Sequence, residues 1–287
     1  MTKNSLLSII FILTLLSCND QKQQAIKQLD IGKEKYYKDK FDTSLTYLNN
    51  AIKIDSANAE AYYFLGKVNY EIKNYSDGLK YLNLAEQKKY NYDSVQAMKL
   101  ETLFAMEKYD DYIDLCNKLI SKNTSNYKMY FNKATALFNK ANDATTTENK
   151  IEKLKEALDN VNISLNLTKN DYETFVLRGA VRFALSDNKG AISDFDIAIK
   201  NEKKDSSIIS IAYRYKGLTE KELNNLIYAE SLLDSSIIFQ NKHSTLYINR
   251  GDIRILLKKV GLGCEDYRKA LEYGDNDAIE RIRENCK

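Results

Sequence analysis

The 287-residue sequence contains no proline and no tryptophan, and it has only ten glycines and one histidine. Proline breaks helices and glycine weakens them, so their scarcity favours a chain built almost wholly from helices. The single histidine, His243, has neither a second histidine nor a nearby cysteine, so a metal site or catalytic triad of the usual kind is not expected. We expect His243 to be a solvated loop residue.

The charges are nearly balanced, with 43 Lys and Arg against 40 Asp and Glu, and they form no block of one sign. This is not the pattern of a nucleic-acid-binding surface, so we expect no nucleic-acid partner. The acidic pairs Asp110-Asp111 and Asp194/Asp196 are expected to be solvated charges on helix surfaces rather than general acids or bases. With no catalytic cluster, metal site or cofactor motif in view, the sequence does not indicate an enzyme.

The N-terminal segment combines Lys3 with an apolar run from Leu6 to Leu16 that is too short to span a bilayer, so residues 1–17 are predicted to be a signal peptide. Its end, Leu15-Leu16-Ser17-Cys18, resembles a bacterial lipobox, although Leu16 is larger than the residue usual there. The resemblance implies that Cys18 is acylated and begins the mature chain. Residues 18–24 would then be a short lipid-anchored linker. A cleaved leader with an incidental cysteine is the open alternative.

An internal repeat with a period of 34 residues begins with Gly32 and Tyr36, which recur as Gly66 and Tyr70. If each repeat is numbered from 1 to 34, positions 8, 20 and 27 are mostly small, as expected where two helices pack closely. Position 8 is Gly32, Gly66, Leu100, Ala134, Gly179, Gly217 and Gly251; position 20 is Ser44, Gly78, Tyr112, Ala157, Ala191, Ala229 and Gly263; position 27 is Ala51, Ala85, Leu119, Ser164, Ala198, Ser236 and Ala270.

This period and these small positions resemble the tetratricopeptide repeat over Ala25 to Lys287. The resemblance implies an all-α fold, a right-handed α-solenoid of about seven helix-turn-helix repeats over residues 25–274. Repeat four contains an 11-residue insertion, expected to be a loop near 142–150. Residues 275–287 are predicted to form a capping helix with Ile279, Ile282 and Cys286 on its apolar face.

The remaining cysteines suggest one disulfide. Cys264 and Cys286 each lie 11 residues from Asp275, near which the hairpin between their helices should turn. Equal arms of an antiparallel hairpin place the two cysteines at the same level, so in an exported protein they are predicted to be bonded. Two buried free thiols are the alternative. Cys116 is expected to be a buried free thiol.

The family resemblance implies a groove, lined by the first helix (helix A) of each repeat, that binds peptides or partner domains. We therefore expect a lipid-anchored scaffold or adaptor at the bacterial cell envelope, on the outer membrane, either on its periplasmic side or at the cell surface. The nearest analogy is with lipoproteins of this family that help to assemble outer-membrane barrels or secretion machines. A lipoprotein that captures glycans or peptides for a transporter is the alternative. The groove positions Leu29, Lys33, Tyr63 and Lys67 lack the asparagines of the family's carboxylate clamp.

Aromatic residues mark the candidate groove. One interpretation is a stripe along helix A that anchors a partner's apolar side chains, joined by Tyr37, Tyr63 and Phe131. The other is that the position-12 rings simply pack inside each repeat. Position 12 of the first five repeats is Tyr36, Tyr70, Phe104, Phe138 and Phe183.

Acylation of Cys18 can be tested with the variant Cys18→Ala. Several acyl chains at about 0.8 kcal/mol per buried CH₂ hold a protein on a membrane against salt. The variant should therefore move from the membrane pellet to the soluble fraction. A variant that still pellets and resists salt extraction would contradict the predicted anchor.

Overall fold

The structure is a computed structural model that describes residues 3–168, 170–201 and 205–286, with side chains described from Asp20 onward. These residues form fifteen α-helices and no strand. None of the helices in the described ranges is both long and apolar enough to cross a bilayer. The helices are α1 Lys3–Tyr36, α2 Phe41–Ile54, α3 Ala59–Glu71, α4 Tyr75–Gln87, α5 Tyr92–Ala105, α6 Tyr109–Lys122, α7 Tyr127–Asn142, α8 Thr147–Leu167, α9 Tyr172–Ala184, α10 Asn188–Asn201, α11 Ser206–Glu222, α12 Leu226–Phe239, α13 Ser244–Leu256, α14 Val260–Glu272 and α15 Asp277–Asn285.

The chain divides into two compact units, Met1–Leu115 and Cys116–Lys287. In unit 1, helix α1 packs on α2 and α3 packs on α4. In unit 2, the pairs are α7 with α8, α9 with α10, α11 with α12, and α13 with α14. Within each unit, the second helix of a pair also packs on the helix that follows it, as with α2 and α3 or α10 and α11. Consecutive helix pairs of this kind confirm the predicted all-α repeat fold.

The glycine at position 8 lets the two helices of a repeat approach closely. A Cβ atom on Gly179 would lie 2.4 Å from Cε1 of Phe195, and one on Gly251 would lie 2.6 Å from Cε1 of Tyr267. Both aromatic residues are fully buried and stand at position 24 of their repeats, in the second helix. The missing side chain of the first helix is therefore replaced by a large side chain from the second.

The turn between the two helices of a repeat has one conformation throughout. Residue 15 of six repeats adopts a positive φ although none of these residues is glycine. The next residue donates its N–H to a carbonyl five residues earlier, as from Lys40 to Lys35, which ends the helix as a glycine C-cap would. The six residues are Asp39, Lys73, Glu107, Ser186, Asn224 and Lys258.

Two segments differ from the expectations. Residues 18–24, the expected linker, lie within helix α1, and none of these seven residues is glycine or proline. In the insertion of repeat four, the loop comprises only residues 143–146, so it is shorter than the loop expected near 142–150. The inserted residues lengthen α7 to 16 residues and α8 to 21. Thr146 begins α8 by accepting a hydrogen bond from the backbone N–H of Asn149.

Asp194 is not the solvated charge that was expected. Its side chain is 1% exposed, and both of its oxygens accept hydrogen bonds from Arg178, at 3.0 and 2.7 Å. Arg182 donates to it at 2.7 Å. Repeat position 23, in the second helix, faces repeat positions 7 and 11 in the first helix. An aspartate at position 23 is therefore enclosed by the two arginines. Asp196, in contrast, is exposed as expected, although it forms an ion pair with Lys216.

The same enclosed arrangement recurs in the last repeat. Arg250 donates two hydrogen bonds to Asp266, and Arg254 donates one to the same carboxylate at 2.9 Å. Arg250 also reaches Asp234 of the preceding repeat at 2.7 Å. Bidentate pairs of this kind fix orientation as well as neutralise charge. They therefore join the helices of one repeat and link neighbouring repeats.

The capping helix α15 packs on α14 through Ile282 and Cys286, as expected, but with Ala278 in place of Ile279. Ala278 is fully buried, and Ile282 and Cys286 pack beside it, whereas Ile279 is 55% exposed. The expected contribution of Ile279 is therefore wrong. The apolar face follows a spacing of four residues, from Ala278 through Ile282 to Cys286.

The structure joins Cys264 to Cys286 in a disulfide whose Cα atoms lie 5.7 Å apart. Cys116 is a free, fully buried cysteine, and burial raises the pKa of its thiol to about 12. Cys18, the predicted lipidation site, lies among the residues whose side chains the structure does not describe.

Alkylation of the native protein should leave Cys264, Cys286 and Cys116 unmodified. The first two are bonded, and a pKa near 12 lowers the thiolate fraction of Cys116 on the order of a thousandfold relative to a free thiol at pH 8. Denaturation without reductant should expose Cys116 alone. Peptide mapping checks this, and alkylation of Cys264 or Cys286 before reduction would contradict the bond.

Candidate partner-binding surface

One cluster of the predicted groove residues forms a continuous surface within unit 1. We call it the unit-1 aromatic surface, and it consists of Tyr36 at the end of α1, Tyr37 in the turn that follows, and Tyr63, Phe64 and Lys67 on α3. The ring of Tyr36 lies 5.3 Å from that of Tyr37 and 5.8 Å from that of Phe64. Phe64 also contacts Tyr37 at 6.2 Å and Tyr63 at 5.7 Å, all edge-to-face. These distances are typical of favourable aromatic pairs.

Lys67 places a positive charge among these rings. Its Nζ lies 4.6 Å from the ring centroid of Tyr36, 5.6 Å from that of Phe64 and 5.9 Å from that of Tyr63. Each ring face attracts the cation. Lys67 has no ion-pair partner among the residues that the structure describes. Its ammonium group is therefore held in place by rings and can still receive an anion.

Lys33, at the same repeat position as Lys67, already forms an internal ion pair. Its Nζ donates to Glu60 at 2.6 Å. The hydrogen bond to Glu60 raises the pKa of Lys33, outweighing the opposite effect of burial. Of the two lysines, only Lys67 is without an internal carboxylate in the described part of the chain.

The surface is supported by a second set of contacts. Tyr63 stacks on Tyr90, with ring centroids 4.8 Å apart. The hydroxyl of Tyr36 donates to Glu71 at 3.2 Å. Burial and the nearby Glu71 charge both raise the pKa of Tyr36, and burial raises the pKa of Tyr63. Both phenols therefore remain neutral over the physiological range.

Exposure distinguishes the members of this surface. Phe64 is buried and forms its floor. Tyr36 and Tyr63 are half-buried, whereas Tyr37 is 68% exposed. Tyr37 and the exposed edge of Tyr63 are therefore the parts that an incoming chain could contact with least rearrangement.

The position-12 rings of repeats one to three pack against the ring at position 17 of the same repeat. Tyr36 lies 6.1 Å from Phe41 and Tyr70 lies 5.6 Å from Tyr75. Phe104 follows the pattern, 5.7 Å from Tyr109. These contacts favour the packing interpretation for position 12, and they leave Tyr70 and Phe104 outside the unit-1 aromatic surface.

The other predicted groove residues, Phe131, Phe138 and Phe183, belong to unit 2, where all three are half-buried. Phe183 packs against Tyr215 of the next repeat, with ring centroids 6.5 Å apart.

No group of acidic, histidine or cysteine side chains in the described ranges could hold a metal ion. His243 is exposed just before α13.

The sequence interpretation missed Phe64, Tyr90 and Glu71. Phe64 follows Tyr62 and Tyr63 directly, and a run of three aromatic residues on one helix predicts that one of them faces inward. Tyr90 stands at position 32, where the family usually has proline. Glu71 immediately follows the position-12 Tyr70 and carried no periodic signal.

Residues 32–73 match a family model described as TPR repeat. The fold is similar to that of a tetratricopeptide repeat protein from Parabacteroides merdae ATCC 43184, with a TM-score of 0.74 and 13% identity over 91% of this chain and 97% of that one. It also resembles a chain of the APC/C hetero-tetramer Cut9-Hcn1, with a TM-score of 0.65 and 13% identity over 95% of this chain and 55% of that chain. A third similar structure is MamA from Desulfovibrio magneticus RS-1, with a TM-score of 0.52 and 13% identity over 62% of this chain and 94% of that one.

No curated protein sequence matches the chain. Residues 32–73 therefore carry a recognisable TPR repeat, and the described helices share the fold of solved tetratricopeptide-repeat structures. Stacked repeats of this kind create extended surfaces suited to binding other proteins.

Proposed function

We propose that the chain is a lipid-anchored scaffold that binds a protein or peptide partner through the unit-1 aromatic surface at the bacterial cell envelope. The observation that carries the proposal is the cluster of four aromatic rings around an unpaired lysine. Clustered aromatic residues commonly dominate binding energy, and tyrosine tolerates water when the surface is empty.

The chemistry of the surface defines the partner segment. Tyr37 and Tyr63 offer ring faces to apolar side chains. Lys67 adds a positive charge whose hydration is already reduced by three rings. An acidic side chain or chain terminus next to apolar residues would match both features, because the ring-held ammonium needs little reordering to form an ion pair.

The envelope location is supported by two features of the chain. The N-terminal segment resembles a lipoprotein leader that ends at Cys18. The Cys264–Cys286 disulfide is typical of oxidising compartments outside the cytoplasm. A role in assembling outer-membrane or secretion complexes fits a fold that also occurs in the Cut9-Hcn1 hetero-tetramer. We propose no catalytic activity.

Replacement of Tyr37 and Tyr63 by alanine should weaken recovery of a crosslinked envelope partner at least tenfold, because the two rings form the accessible part of the surface. The melting temperature should change little, since Tyr37 is exposed and Tyr63 half-buried. Quantitative affinity measurement with the identified partner checks this.

The matched control is Tyr47→Ala, which removes a half-buried tyrosine from helix α2, outside the surface. It should leave binding unchanged. Undiminished binding of the Tyr37/Tyr63 variant, or a large loss of its stability, would show that these rings serve packing rather than partner binding.

A further inference from the structure

A second candidate site lies at the C-terminal end of unit 2, independent of the proposed scaffold surface. It is a cavity of about 570 Å³ between α13 and the capping helix α15, reached also by Lys221 from the last turn of α11. Pockets of this size accommodate small ligands. We call it the cap cavity.

The floor of the cap cavity is fixed by a shared carboxylate oxygen. Oδ1 of Asp252 accepts a hydrogen bond from the hydroxyl of Tyr267 and another from Nε of Arg281, both at 2.9 Å. Tyr267 is almost fully buried, so the floor is rigid. Oδ2 of Asp252 has no hydrogen-bond partner among the described residues. It is available to accept an N–H from a ligand.

The rim carries opposite charges on opposite sides. Lys221 occupies position 12 of repeat six, which is aromatic in each of the first five repeats. Glu280 and Glu284 come from α15. Helix α13 packs on α11, and its Asp252 is bonded to Arg281 of α15, so α13 lies between the two glutamates and Lys221. Lys221 and Glu284 have no ion-pair partner in the part of the chain that the structure describes. Glu280 has only a long contact with Arg283, in which both side chains are at least 70% exposed.

The wall between these charges is apolar. It is formed by Ile255 and by Leu256, which is 53% exposed. An exposed leucine in a cavity with polar ends provides a contact for an apolar side chain. The cavity therefore presents, in order, a positive group, an apolar wall with a hydrogen-bond acceptor, and a negative pair.

We propose that the cap cavity binds a short peptide by both of its free ends. The carboxylate would pair with Lys221 and the ammonium group with Glu280 and Glu284, while the central side chain packs on Ile255 and Leu256. The free Oδ2 of Asp252 would accept a main-chain N–H. A neutral or singly charged ligand would leave one side of the rim without a counter-ion.

The helix spacing sets the length of the peptide. Neighbouring helices pack about 8–10 Å apart, so α11 and α15 are separated by roughly twice that distance across α13. The lysine and glutamate side chains reach inward and leave a gap on the order of 10 Å, which about three extended residues span. A free amino acid carries the right charges but is too short to meet both sides.

The test is calorimetric titration of the disulfide-bonded mature chain with tripeptides that have free ends and Leu, Phe or Lys in the middle, such as Gly-Leu-Gly. A free-ended tripeptide should bind, and either N-acetylation or C-terminal amidation should weaken binding at least tenfold. Free leucine should bind more weakly than Gly-Leu-Gly.

Variants assign each end to its side of the cavity. In Lys221→Met, amidation of the peptide should not weaken its binding any further. In Glu280→Gln/Glu284→Gln, acetylation of the peptide should not weaken its binding any further. Lys242→Met and Glu265→Gln, two exposed charges of unit 2 outside the cavity, are the controls and should behave as the native chain does. Lys221 is half-buried and the other four side chains are exposed, so melting temperatures should change little.

Three results would overturn the proposal. One is the absence of binding by the whole tripeptide panel at millimolar concentration. Another is equal binding of blocked and free peptides. The third is an unchanged preference for free ends in the Lys221 and Glu280/Glu284 variants. None of these results depends on Tyr37 or Tyr63, so failure here and failure of the scaffold proposal are distinguishable.

Discussion

The close approach of two helices at position 8 is the contact on which four of the five glycine-bearing repeats depend, Gly217 being the exception. With no Cβ on Gly179 or Gly251, the rings of Phe195 and Tyr267 occupy the space between the helices. A crossing this tight places positions 7 and 11 of the first helix directly over position 23 of the second. The buried ion pairs of Asp194 are a consequence, because an aspartate enclosed in this way is tolerated only when arginines satisfy both of its oxygens.

Much of this fold could be predicted from the sequence because its signals are periodic. The 34-residue spacing of glycines fixes the helix pairs, and equal arms about Asp275 place Cys264 opposite Cys286, as the structure has them. Features that depend on a single side chain's direction could not be predicted in the same way. Whether Asp194 is exposed or enclosed depends on a rotation of its helix by about one residue. In the same way, Ile279 competes with Ala278 for one apolar face. Helix ends also depend on local capping, as at Thr146, rather than on the period.

The candidate sites likewise combine residues that could be predicted from the repeat with residues that could not. Tyr36, Tyr37 and Tyr63 were identified by their repeat positions, and the structure brings them together. Phe64 and Tyr90 complete the surface through contacts between helices that no single repeat encodes. The cap cavity arises where the period fails: Lys221 replaces an aromatic ring, and α15, the last helix that the structure describes, packs on α14. Rigid repeats thus hold the framework constant while substitutions at a few exposed positions give each surface its chemistry.

The most direct test of this account is the free energy of unfolding of Gly179→Ala compared with that of Gly261→Ala. A Cβ on Gly179 would meet the buried ring of Phe195 at 2.4 Å, whereas one on Gly261 has no heavy atom within 4 Å. Overpacking of this kind costs about 1–3 kcal/mol, so Gly179→Ala should lose that much and Gly261→Ala should lose nothing. Phe195→Leu combined with Gly179→Ala should cost less than the sum of the two single changes. Equal stability of Gly179→Ala and the native chain, or equal losses at the two glycines, would contradict the claim that the helix crossing at position 8 determines the repeat.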